Sequence, residues 1–192
     1  MLKVLATLAA LAVGILAGLG LTALSIDRPP GFGAVTLGSW QVRPKIGTAD
    51  ADPYTRALMA ANGEIPMGAA EGLALTTQTD STGKALDGRC RYRLRGPFPG
   101  AGIWSVTLYW NNGTIASRNG QRASFTSFEI VRREGKAEEI VLAPGPQPGN
   151  WIPLTPGEAF SVVLRLHDLQ IGGQAGVFDT ASLPTLVRED CP

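Results

Sequence analysis

RCRYRLR, residues 89–95, alternates without a break. Arg89, Arg91, Arg93 and Arg95 form one set, and Cys90, Tyr92 and Leu94 the other. A helix would scatter both sets around its circumference. A strand, whose successive side chains point to opposite faces, separates them completely. The segment therefore predicts a half-buried strand with an arginine row on one face and a core-facing row on the other. Two longer stretches carry the same period. IWSVTLYW (103–110) puts Trp104, Val106, Leu108 and Trp110 together, and FSVVLRLHDL (160–169) does so for Phe160, Val162, Leu164 and Leu166.

Working outward, residues 72–79 are rich in β-formers and 80–88 (DSTGKALDG) in turn formers. Residues 96–102 form a Pro/Gly loop, and Asn111-Asn112-Gly113 is a strong turn signal. Further strands are expected at 125–132 and 139–142, joined through Glu134-Gly135-Lys136, and PGPQPGNWIPLTPGE (144–158) reads as a long loop. Upstream, a single short strand is expected over 38–43. The one helix signal of the body follows, with Asp52 as cap, Pro53 in the first turn, formers over 54–62 and Gly63 as stop. Short strands, Gly/Pro loops and one helix predict an antiparallel β-sandwich or jelly roll. The 24 glycines and 14 prolines among 192 residues agree, being too many for a helical bundle.

The N-terminus is a different object. Residues 4–26 (VLATLAALAVGILAGLGLTALSI) carry no charge and, at about 1.5 Å per residue, make a helix of roughly 34 Å, enough to cross a bilayer core. Lys3 and the amino terminus precede it, which orients the N-terminus to the cytoplasm and sends the body outward. An uncleaved anchor is favoured, because signal-peptide cores usually run about 7–15 residues. A cleaved signal, with Ala23-Leu24-Ser25 at the cut, is the alternative. Gly14 and Gly18 have the spacing of a helix-dimer face, which small-residue segments often meet by chance. The expected domains are 1–26 as transmembrane anchor or signal, 27–39 as linker and 40–192 as the β domain. The expected place is the bacterial inner membrane with the C-terminal domain in the periplasm, or the periplasm or exterior if the segment is cut.

The body is electrically neutral: all 16 acidic residues and 16 of the 17 basic ones follow residue 26. Net charge therefore gives no reason to expect nucleic acid as a partner. Of the basic residues, 13 are Arg and 4 Lys, which leaves room for local bidentate anion contacts. Cys90 and Cys191 are the two cysteines, and in an oxidising compartment they are expected to pair.

Six strings in order resemble the bacterial domain-of-unknown-function 1214 family: LDGRCRYRLRG (86–96), IWSVTLYWNNG (103–113), RASFTSFEI (122–130), PGNWIPL (148–154), FSVVLRLHDL (160–169) and LPTLVRE (183–189). Together they cover nearly all of residues 40–191. The resemblance implies a fold similar to viral-capsid jelly rolls. In small anchored versions it implies a separate neighbouring protein made of the sister domain, domain-of-unknown-function 1254. Two positions depart from the family pattern: Trp110, where an acidic residue is common, and His167, where Tyr is frequent. No activity comes with the family, so it informs the fold more than the function.

Candidate chemistry is sparse. His167, the only histidine, is the one catalytic candidate; Ser161 and Arg165 share its strand face, Asp168 falls on the other, and no G-x-S-x-G elbow is present. Asp50 and Asp52 could offer oxygens to a hard cation, but helix capping explains them better. No metal site and no cofactor are expected. The binding candidates are Arg89, Arg91, Arg93 and Arg95, which could hold an anionic ligand such as an acidic polysaccharide or lipid headgroup. Alternatively they could pair with Glu129, Glu138 or Glu139 on neighbouring strands. Trp110 and Trp151 could stack on a ligand or pack over the sandwich edge. The expected function is a noncatalytic binding or assembly module at the inner membrane, pairing with a sister-domain protein; the alternative is an envelope-associated enzyme acting on a carbohydrate or small molecule.

Overall fold

The structure is a computed structural model and describes residues 1–27, 33–62, 66–68, 71–98, 101–135, 137–169 and 182–191. The helix stop expected at Gly63, the Lys136 of the expected turn and most of residues 27–32 of the linker lie outside these. Among the described residues, ten strands and two helices follow one another: α1 (Leu2–Asp27), β1 (Val35–Leu37), β2 (Trp40–Val42), α2 (Pro53–Asn62), β3 (Gly72–Thr77), β4 (Arg91–Arg95), β5 (Ala101–Trp110), β6 (Ser124–Thr126), β7 (Glu139–Ala143), β8 (Trp151–Pro153), β9 (Phe160–Leu169) and β10 (Thr185–Asp190).

The strands form two sheets, ordered β1-β2-β3-β9-β5-β6 and β10-β4-β7-β8. Their facing sides supply one core. Leu75, Val106 and Leu164 come from the large sheet, and Tyr92, Leu94, Ile140, Ile152 and Leu186 from the small one, all without solvent exposure. Tyr92 meets Phe160 edge-on across the gap, ring centroids 5.8 Å apart. Trp40 reaches from β2 to donate its indole N–H to the Pro184 carbonyl at 2.7 Å. Each fully buried large apolar side chain contributes about 1.5–3 kcal/mol, so this shared core is the main stabilising term. The fold is a β-sandwich, as the alternation predicts.

The details depart from the sequence reading wherever strands are short. The single strand expected over 38–43 is a hairpin: Gly38, at φ 64°, turns the chain between β1 and β2. The expected strand over 125–132 stops at Thr126. Glu129 folds back to accept hydrogen bonds from the Thr126 amide (3.0 Å) and hydroxyl (2.9 Å), making a turn. The expected loop 144–158 contains β8, which runs parallel to β7, the one exception to antiparallel pairing among the described strands. Asn150 makes this possible: its side-chain amide donates to the Glu139 and Val131 carbonyls, both at 3.0 Å, and draws the returning chain back to the start of β7. β10 is a further strand, paired along β4. Gly72 opens β3 because a Cβ there would fall 2.0 Å from the Leu166 carbonyl oxygen.

α1 is exposed along its length and is long and apolar enough to cross a membrane. Within it Thr7 donates to Lys3 O and Thr22 to Gly18 O. Cys90 and Cys191 are joined by a disulfide. They flank the first pair of the β4–β10 ladder, Arg91 and Asp190, and so fasten the C-terminal strand to the middle of the chain.

Candidate functional site

The arginine row lies on the outer face of the small sheet, but it is not a bare cationic stripe. Arg93 sits at its centre between two carboxylates. Nη1 donates to Glu139 Oε2 at 2.9 Å from β7, while Nε and Nη2 both donate to Glu189 from β10. Glu189 also meets Arg91 Nε at 3.0 Å, so one carboxylate bridges two arginines. Arg89 precedes the strand rather than belonging to it, and its guanidinium is bound to Asp87 with a closest approach of 2.6 Å. Arg95 is exposed and makes no ion pair among the described residues. In the ladder it stands opposite Glu139, yet that carboxylate reaches diagonally to Arg93.

Of the anticipated acidic partners, Glu139 meets the row, while Glu129 pairs with Arg122 and Glu138 with Arg132. Glu189 was not anticipated, although its place two residues from the bridge to Cys90 could have suggested it. The hydrogen bonds from Arg93, with the positive fields of Arg93 and Arg91, hold the Glu189 carboxyl below its ordinary value near 4.5, against a smaller opposing effect of burial. Its carboxylates raise the pKa of Arg93. A depressed carboxyl pKa stabilises the fold above the unfolded-state value, and that stability is lost as pH falls through the folded-state value. Melting temperature is therefore expected to hold from pH 7 to about 5 and to decline below about 4. In Glu189→Gln the decline should be shallower, and an unchanged acid limb would show that Glu189 carries none of it.

His167 is half-buried on the outer face of the large sheet, paired with Gly72 on one side and Ile103 on the other. Ser161 Oγ is committed to the Tyr109 carbonyl at 3.5 Å, and Arg165 lies over the Tyr109 ring at 5.3 Å. The three share a face without meeting at a common point. Asp52 caps α2, accepting from the Thr55 amide at 3.0 Å and hydroxyl at 2.6 Å. These bonds, the hydroxyl's first, lower its pKa. Among the described residues no three His, Cys, Asp or Glu side chains cluster as metal ligands. Trp110 is half-buried against the core, and Trp151 is half-buried with its indole N–H on the Ala143 carbonyl at 3.0 Å.

The best-built polar cluster lies elsewhere. Asp80 is buried and accepts from the Thr82 hydroxyl (2.6 Å) and from the amides of Thr82 (2.8 Å) and Lys84 (3.1 Å). Arg188 of β10 faces its second oxygen at 2.8 Å and lies over the Tyr92 ring. Burial pushes the Asp80 carboxyl up, but the hydrogen bonds and Arg188 outweigh it and leave the pKa lowered. Residues 80–88 read as turn formers in the sequence; the burial of the first of them depends on β10, about a hundred residues later.

An apolar helix long enough to cross a membrane, followed by a disulfide-closed β-sandwich whose arginine face is largely paired within itself, defines the class: a β-domain protein with an apolar N-terminal helix. The chain belongs to the family described as Protein of unknown function (DUF1214), whose model matches residues 71–170, from the threshold of β3 to the end of β9. No curated protein matches it. Among solved structures it is similar to the VPA0106 protein from Vibrio parahaemolyticus, at 18% identity and TM-score 0.62, over 93% of this chain and 44% of that one. The chain thus spans less than half the length of that protein. It is also similar to an uncharacterised protein from Burkholderia cenocepacia, at 21% identity and TM-score 0.44, over 75% of this chain and 45% of that one.

Proposed function

We propose that the chain is a noncatalytic binding and assembly module, held in the bacterial inner membrane by α1 with its sandwich in the periplasm, where it pairs with a protein made of the sister domain. The observation that carries this is the sequence of α1 and a body closed by the Cys90–Cys191 bridge, since such bridges persist in oxidising compartments. In this reading residues 1–26 anchor and the expected linker over 27–39 is shortened at its end, because β1 (35–37) already belongs to the sandwich that binds. On the outer face of the small sheet Arg91 and Arg93 are committed to Glu139 and Glu189, which leaves them unsuited to acid–base turnover. Arg95 and the rims of Trp110 and Trp151 remain available to a partner or anionic ligand.

Gentle solubilisation of membranes and affinity capture of the full chain should recover a second protein at near-stoichiometric yield. Intact mass of the captured chain should retain residues 1–26. If no protein co-purifies the assembly role fails, and a mass lacking the N-terminal segment rules out the anchor.

A further inference from the structure

The strand register gives the sandwich two unlike ends. Val35, the first residue of β1, pairs with Val42, and Val42 pairs with Leu75, level with Leu164 and Val106. Gly72 pairs with His167, and His167 with Ile103. Ser127, just past β6, donates its amide to the Trp104 carbonyl. Gly72, Ile103 and the turn holding Phe128 therefore share one end of the large sheet, while Val35 lies three residue levels further in. In the small sheet Arg95 pairs with Glu139 and Thr185, and Asn150 ties Glu139 to Val131. From Arg95 the chain passes through Phe98, stacked on Trp104 at 4.0 Å between centroids, toward β5. This end of the small sheet thus overlies the same end of the large one.

It is also the end at which the chain arrives from α1. Eight residue steps separate Asp27 from Val35, a reach of at most roughly 28 Å when fully extended. Of the large apolar side chains exposed outside α1, three lie here: Ile103 (42% exposed), Phe128 (78%) and Val131 (63%). Arg43, Arg95 and Arg133 lie here too and make no ion pair among the described residues. At the far end Arg89, Arg118 and Arg188 are each paired, with Asp87, Glu158 and Asp80. Of the acids at this end, Glu71 accepts from the Gly68 amide, Glu129, Glu138 and Glu139 are paired with Arg122, Arg132 and Arg93, and Glu134 is exposed beside Arg133.

We propose that this end of the sandwich is a membrane-docking face, seated on the anionic headgroups of the bilayer that α1 crosses. Phe128 and Val131 enter the interface, and Arg43, Arg95 and Arg133 meet lipid phosphates. Apolar side chains ringed by unpaired cations are the chemistry that binds such a surface. The short tether holds the face at an effective concentration of about millimolar, so weak individual contacts suffice. The proposal rests on α1 being the anchor.

The test uses the full chain with its native disulfide and one added thiol, Phe128→Cys, carrying an environment-sensitive fluorophore. Ile115→Cys, exposed at the opposite end, is the control. Each is reconstituted into phosphatidylglycerol-rich and into phosphatidylcholine vesicles. Flotation reports the anchor; quenching by headgroup-depth spin-labelled lipid reports docking. The expected result is flotation of both proteins, with at least about two-fold stronger quenching at 128 than at 115 in anionic vesicles. Adding Arg95→Ser and Arg133→Ser should reduce that quenching. A protein that floats with equal quenching at both sites overturns docking and leaves the anchor standing, whereas a protein that does not float removes both. Equal quenching at 128 in the two vesicle types, or shielding that appears only when a membrane extract is added, also overturns lipid docking; the latter assigns the face to a protein partner.

Discussion

Replacing Asp80 by alanine is expected to lower the melting temperature by about 6–20 °C. Its side chain has no solvent exposure, and it faces Arg188 at 2.8 Å. Removing one member of a buried charge pair typically costs about 3–5 kcal/mol, because the other is left uncompensated. For a body of this size each kcal/mol moves the midpoint by about 2–4 °C. The loss has two parts. Asp80 shapes its own turn through Thr82 and Lys84, and it holds β10 through Arg188. Asp80→Asn should separate them, keeping much of the turn while losing the charge, and fall between wild type and Asp80→Ala. Thermal and denaturant unfolding of the full chain in micelles measures both variants. A cost below about 1 kcal/mol for Asp80→Ala would mean that Arg188 finds full compensation elsewhere.

Loss of the Cys90–Cys191 bridge should have an effect of similar size. Closing a loop of 101 residues is worth up to about 4.7 kcal/mol in the chain-entropy account. The native structure adds a local consequence. β10 is an edge strand whose outer side is met only in part, by the Ser81 amide on the Leu186 carbonyl. Without the bridge its C-terminal end is free to peel from β4. The double alanine variant should therefore unfold about 3–5 kcal/mol more readily. Amide exchange should accelerate first in residues 185–190. Because Asp80 and the bridge hold the same strand, combining Asp80→Ala with bridge removal should cost less than the sum of the two. Strict additivity, or unchanged exchange in β10, would contradict this account.

These two features were unequally legible. Pairing of Cys90 with Cys191 needs only two residues and a compartment, whereas Asp80 looked like an ordinary turn residue because its partner is supplied by a distant strand. The same contrast runs through the fold. β5 and β9 each give ten residues of alternation, and their faces follow directly. β1, β6 and β8 have three residues each, too few for a period to register, and their existence rests on neighbours. The arginine row was visible at once, and its geometry near Arg93 follows from alternation. Its chemistry was half visible: Glu139 could be named as a partner, but Glu189 required knowing that β10 lies beside β4.

The Trp40 hydrogen bond to Pro184 spans 144 residues of chain. Together with the β4–β10 ladder, it ties the N-terminal hairpin of the large sheet to the approach to β10 in the small one. A nascent chain emerges N-terminus first, so β4 leaves the ribosome about ninety residues before β10 and its outer edge stays unpaired over that interval. The sandwich therefore cannot close strand by strand as it is made; β10 acts as a latch that arrives after every other described strand is in place.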